Sequence, residues 1–83
     1  MKNFEWDSNK KDSNYRKHGV DFLEAIKVFD DPNRDEETRF QTVGIADEHV
    51  IMVIYTIRNE FKRIIFARRA NQNERKYYYR ERC

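Results

Sequence analysis

Residues 49–69 read HVIMVIYTIRNEFKRIIFARR, and this stretch decides the fold class. His49 to Ile57 is a nearly continuous β-branched and aromatic run, the pattern of a central strand buried on both faces. Phe61 to Arg69 reads as the next strand. Alternation puts Phe61, Ile65 and Ala67 on one of its faces and Lys62, Ile64, Phe66 and Arg68 on the other. Only Arg58-Asn59-Glu60 separates the two runs, a connection short enough to predict an antiparallel hairpin. Upstream, Thr38 to Ala46 alternates loosely and joins through the equally short Asp47-Glu48. Residues 32–37, Pro-Asn-Arg-Asp-Glu-Glu, read as an exposed acidic loop.

Helical segments precede and follow these strands in the sequence. Phe4-Glu5-Trp6 alternates as a short first strand, and Asp7 or Ser8 can cap a helix from Asn9 to about Lys17. Gly19 is its expected stop, because glycine takes the left-handed conformation at no steric cost. A second helix opens at Asp21 with Glu24 at capping-box spacing. Phe22, Ala25, Ile26 and Phe29 form its apolar stripe. Asp31-Pro32 ends it, since the residue before proline is pushed out of the helical region. Asn71 and Glu74 make another cap pair, predicting a last helix from about Gln72 to Arg82. The expected layout is α+β, in the order β-α-α-β-β-β-α, as one domain over residues 1–83. Two N-terminal helices lie on one face of a small antiparallel sheet and the C-terminal helix returns to it.

Composition narrows the chemistry. The 83 residues are 39% charged and 14% aromatic, so a core can form despite the charge. The longest apolar run, Val50 to Tyr55, is too short to span a bilayer. No apolar leader is read in Met1 to Glu5, and one cysteine, Cys83, cannot form an internal disulfide, so a cytoplasmic protein is expected. With only Gly19 and Gly44, no glycine-rich phosphate loop exists. His18 and His49 are isolated and no cofactor is expected. The net charge of +2 hides an asymmetry: residues 1–57 carry 8 Lys/Arg against 12 Asp/Glu, and residues 58–83 carry 9 against 3. A basic C-terminal third favours a polyanionic partner.

Within that third, Arg58, Arg63, Arg68, Arg69 and Arg75 are interleaved with Tyr77, Tyr78 and Tyr79. Guanidinium forks match phosphates, and phenols stack on unpaired bases or hydrogen-bond phosphate oxygens. The combination suits single-stranded RNA and its cleavage without a metal, in which a 2′-hydroxyl attacks the neighbouring phosphate. Each residue also has a plainer reading. Three consecutive tyrosines cannot share one helix face, so at least one packs in the core. Glu74 reads as a cap, His18 as a helix C-terminal residue, and Lys10 and Lys17 as solvated cations.

The ordered set Phe4-Glu5-Trp6-Asp7, Asn9-Lys10, Asn14, Lys17-His18-Gly19-Val20, Phe22 and Glu24-Ala25 resembles the opening of the BrnT toxin family. The likeness continues through Phe29-Asp30-Asp31-Pro32, Arg39-Phe40, Gly44, Arg63-Ile64-Ile65, Ala67-Arg68-Arg69-Ala70, Glu74-Arg75 and Tyr78. This resemblance implies a RelE-like fold and a ribonuclease toxin of a type II toxin-antitoxin system that inhibits translation. It implies neutralisation by a BrnA-type antitoxin, with operator DNA reached only indirectly through the antitoxin, and no membrane. Carried over by motif, Arg68 and Tyr78 lead as catalytic residues, followed by Lys10 and His18. Arg58, Arg63, Arg69, Arg75 and Lys17 are expected to bind RNA. The rival expectation is a non-catalytic module acting only within an antitoxin repressor complex. In either case the antitoxin is expected to cover the basic face.

Overall fold

The computed structural model describes residues 3–38 and 40–80, with only the backbone of Glu37 and Thr38. The elements are β1 (Phe4–Glu5), α1 (Ser8–His18), α2 (Phe22–Ala25), a 3-10 helix (Ile26–Asp30), β2 (Asp35–Thr38), β3 (Gln41–Ala46), β4 (His49–Arg58), β5 (Phe61–Arg69) and α3 (Gln72–Arg80). The five strands form one sheet in the order β1-β5-β4-β3-β2. This is the expected α+β layout with two differences. The sheet is mixed, because β1 pairs parallel with β5 through Phe4–Lys62 and Glu5–Arg63. It also holds one more strand than expected. Asp35 and Glu36 of the acidic segment pair with Val43 and Thr42 as the edge strand β2. An edge tolerates charge, which is why so acidic a run can be a strand at all. Phe40, at φ 68, breaks the expected Thr38–Ala46 strand into β2 and β3. Residues 81–83, including Cys83 and the expected end of the last helix, lie outside the described residues.

Local chemistry explains the helix boundaries. The Asp7 carboxylate accepts from the N–H groups of Asn9 at 2.8 Å and Lys10 at 3.3 Å, and Gly19 closes α1 at φ 72. Asp21 caps α2 by accepting from Leu23 N–H at 2.8 Å. That helix keeps its pitch for one turn and then tightens to 3-10, so the expected single helix is split. Asp31 is extended, at ψ 114, where the following proline requires it.

Two clusters occupy the two faces of the sheet. One joins Val20, Phe22, Ala25, Ile26 and Val28 to Ile51, Val53, Tyr55, Ile64 and Ala67. The other joins Tyr78 of α3 to Val43, Val50, Met52 and Ala70. β5 serves both through a bulge. Phe66 opposes Ile54 and Ile64 opposes Tyr55, so Ile65 has no opposite number on β4. The bulge corrects the simple alternation: Ile64 and Ala67 share the first face, and Phe66 packs with the second.

Asn14 holds α1 against β5. Its Nδ2 donates to the carbonyls of Val20 at 3.0 Å and Ala67 at 2.8 Å, while its Oδ1 accepts from Ala67 N–H at 3.2 Å. A carboxamide thus pairs with Ala67 as a neighbouring strand would, beyond the point where the pairing of β1 ends.

Candidate nucleic-acid interface

The face of the sheet that carries α3 is closed at one end and half open at the other. Beyond the Tyr78 cluster, the register places Ile54 opposite Phe66, Thr56 opposite Arg63 and Arg58 opposite Phe61. Alternation brings Arg58, Arg63 and Arg68 to this face with Phe61 and Phe66. Arg58 and Phe61 are exposed; Arg63, Phe66 and Arg68 are half-buried. Arg63 is steadied by Glu5 at 3.2 Å.

Arg68 is the most ordered of the three. Its Nη1 and Nη2 donate to the two carboxylate oxygens of Glu74 at 2.9 and 3.0 Å, and Nη1 also donates to the Arg69 carbonyl. Glu74 accepts from Asn71 N–H at 2.8 Å, and Asn71 Oδ1 accepts from Glu74 N–H at 2.8 Å. This is the reciprocal capping box expected at the start of α3, with the guanidinium added as a third party. Burial alone would raise the Glu74 pKa. The Arg68 hydrogen bond, the Asn71 N–H and the Arg68 charge outweigh it and hold the carboxyl below its ordinary value. A guanidinium has five N–H donors, so Arg68 keeps its Nε donor and one Nη2 donor for another anion.

A second feature adjoins the open face. Lys10, Ser13, Lys17 and His18 line one side of a groove of about 200 Å³, and Ile65 and Phe66 line the other. The four α1 residues recur at helical spacing and so share a face. Asn14, committed to Val20 and Ala67, sits between them and rigidifies the floor. The His18 ring meets Phe66 edge-on, with centroids 4.9 Å apart. Phe66 therefore connects the groove to the arginine face.

The remaining candidates are placed elsewhere. Tyr78, the leading tyrosine of the sequence reading, points inward. It is 3% exposed and its hydroxyl donates to Asp31 Oδ2 at 2.5 Å. Successive helix residues point about 100° apart, so α3 can bury one of its three tyrosines and leaves Tyr77 and Tyr79 outside. This geometry has Tyr78 fasten α3 to the end of the 3-10 helix. Arg69 falls on the face opposite Arg68 by alternation. Arg75 sits on α3 with Nη1 on the Ala70 carbonyl at 2.7 Å. Sequence reasoning missed Asn14, Ile65 and Phe66 as parts of the site. The i, i+3, i+7 spacing of Lys10, Ser13 and Lys17 was the available signal for the groove.

Among the described residues, three α-helices and a 3-10 helix on a five-stranded mixed sheet, with arginines and aromatics sharing a half-open face, define a small α+β protein with the surface chemistry of a polyanion binder. Residues 6–74 match the family model described as ribonuclease toxin, BrnT, of type II toxin-antitoxin system, and the chain belongs to that family. Membership makes it a ribonuclease toxin with an antitoxin as partner. No curated protein gives a significant match. Among the described residues, no helix is long and apolar enough to cross a membrane.

Proposed function

We propose that this chain is an endoribonuclease that cuts single-stranded RNA without a metal ion in the cytoplasm, inhibits translation, and is neutralised by a BrnA-type antitoxin through which alone it reaches operator DNA. The observation that supports this reading is the shared face: Arg58, Arg63 and Arg68 project beside Phe61 and Phe66, and His18 packs on Phe66. In this reading Arg68 holds the scissile phosphate with the donors Glu74 leaves over, and Arg58 and Arg63 track the backbone on either side. The 2′-oxygen attacks phosphorus, the bond to the 5′-oxygen breaks, and a cyclic phosphate and a 5′-hydroxyl remain. One proton leaves the 2′-hydroxyl and one joins the departing oxygen. His18 is the candidate to carry them, as an imidazole has one nitrogen that accepts a proton and one that donates, with Lys10 beside it in the groove.

The test is cleavage of single-stranded RNA in excess EDTA. Arg68→Ala should lower kcat by roughly 10²–10³-fold, by analogy with loss of one preorganised charge stabiliser. Its urea midpoint should remain in the folded range. Full activity in that variant rejects the assignment of Arg68. Expression without the antitoxin should arrest growth, and indifference would favour the purely partner-binding module. Added antitoxin should raise the melting temperature, because it binds only the folded chain.

A further inference from the structure

The groove between α1 and β5 differs in kind from the arginine face beside it. Its two lysines are exposed and bear no ion pair among the described residues, whereas Arg63 and Arg68 are each held by a glutamate. Its far wall is apolar. The bulge leaves Ile65 without an opposite number on β4, and the side chain is 37% exposed. An exposed isoleucine next to a half-buried phenylalanine and a histidine ring makes a surface for a flat ring system. Bulges recur next to functional sites because they re-aim one side chain. At about 200 Å³ the groove is smaller than the ~300–1,000 Å³ of ordinary small-molecule pockets, so it takes one ring and not a duplex.

We infer that this groove is a subsite for a single unstacked nucleotide of the RNA, and that it sets which base lies beside the cut. The base rests against Ile65 and Phe66, and the Ser13 hydroxyl, which donates to the Lys10 carbonyl at 3.4 Å, keeps its oxygen to accept from the base edge. Lys10 and Lys17, about 10 Å apart along the helix axis, take the phosphates on either side. Asn14 cannot read the base, since its amide already makes three hydrogen bonds inside the protein. The substrate class is therefore single-stranded RNA with a splayed base, recognised by stacking and charge. The cleavage part of this inference rests on the nuclease reading; the binding part does not.

Binding and cutting can be separated with one probe. A single-stranded RNA hexamer carrying 2-aminopurine, with 2′-O-methyl sugars throughout so that no free 2′-hydroxyl can attack, is titrated into the full chain. Its fluorescence should be quenched on binding. Ile65→Glu should weaken binding roughly 10- to 150-fold, the range of one lost apolar side-chain contact, and abolish the quench. Lys17→Ala should reduce the slope of log affinity against log salt by about 1. Both positions are exposed, so the variants should fold. With cleavable RNA randomised around one position, Ile65→Glu should raise KM and flatten the base preference. Unchanged quench, KM and base preference in both variants overturn the subsite while leaving the nuclease intact. Quenching without cleavage by the parent chain keeps the subsite and overturns the nuclease reading. A parent chain that neither quenches nor cuts overturns both.

Discussion

The two faces of the sheet are finished to different standards. On the α1–α2 face, Val20, Phe22, Ala25, Val28, Ile51, Val53 and Ala67 are each 0% exposed. The buried polar group at its rim, Asn14, is satisfied within the chain. On the opposite face, α3 covers Val43, Val50 and Met52 through Tyr78, and the sheet then runs out into half-buried Ile54, Arg63 and Phe66. The first face supplies cohesion. The second leaves apolar and cationic surface in water, and such surface in a small protein marks a binding site. A chain of this size has only about 4–12 kcal/mol of net stability, so the open face is one it can carry only because the other is closed.

The largest expected effect breaks this contrast at its hinge. Asn14→Ala strands the Ala67 N–H and two carbonyls in the interior and should cost about 3 kcal/mol, read as a lowered urea midpoint. Arg58→Ala, on the open face, should cost under about 0.5 kcal/mol while reducing the salt slope of RNA binding by about 1. Equal stability losses in the two variants would erase the distinction between the faces.

The next prediction concerns the seam between β3 and the segment leading to β2. A Cβ at Gly44 would stand 2.9 Å from Val28 Cγ1 and 2.9 Å from Arg34 Cβ. Asp31 Oδ2, which takes the Ile45 N–H, would lie 3.2 Å away. Gly44→Ala should therefore destabilise by about 1–3 kcal/mol through overpacking. Thermal unfolding measures it, and a neutral result would mean that the 3-10 helix shifts freely.

Two titrations sharpen the comparison, one from each face. On the α3 face, the Glu74 pKa is lowered in the fold, so the stability from its ionised form is present above the ordinary value of 4.5 and is lost as pH falls through the folded value. Glu74→Gln should flatten the acid limb of the stability profile. On the closed face, Tyr55 is raised above 10.0 by burial first, and then by its hydrogen bond to Glu36 and that carboxylate's charge. Its contribution is present below pH 10 and is lost as pH rises through the folded value. Tyr55→Phe should flatten the alkaline limb and leave the acid limb alone.

Features written in local patterns were legible before the structure. Asp7, Gly19, Asp21, Asn71 and Glu74 mark helix ends through hydrogen bonds to residues at most four positions away; of the two expected first caps the structure takes Asp7, and Asp21 caps through the Leu23 N–H where a box with Glu24 was expected. The β4–β5 hairpin was legible for the same reason. What was missed is non-local. The short first strand was read, but its parallel pairing with β5 spans 58 positions of chain and was not. β2 looks like a loop because its acids are strand-poor residues tolerated only at an edge. The bulge at Ile65 resets the alternation without leaving a glycine as a clue. The arginines of the site were legible as a composition, and their convergence on one face was not. Asn14 stood in the motif, but a carboxamide acting as a strand is visible only once α1 lies on β5.

The smallest predicted effect tests whether the hairpin next to the open face is tuned for stability. Asn59 and Glu60 form its two-residue loop at φ 51 and φ 70. Both angles being positive matches the turn whose twist fits antiparallel strands, and glycine is favoured at its second position. Asparagine tolerates the left-handed region, but glutamate pays for it in contact between Cβ and the following carbonyl. Glu60→Gly should thus stabilise the chain by about 0.5–1 kcal/mol, with the larger backbone entropy of unfolded glycine offsetting part of the relief. The melting temperature reports it. Glu60 is also an acid between Arg58 and Lys62, so RNA affinity should rise slightly at low salt and converge with the parent chain at high salt. A stability gain with no change in the salt dependence would place the RNA path away from this hairpin and toward Arg68 and the α1 groove.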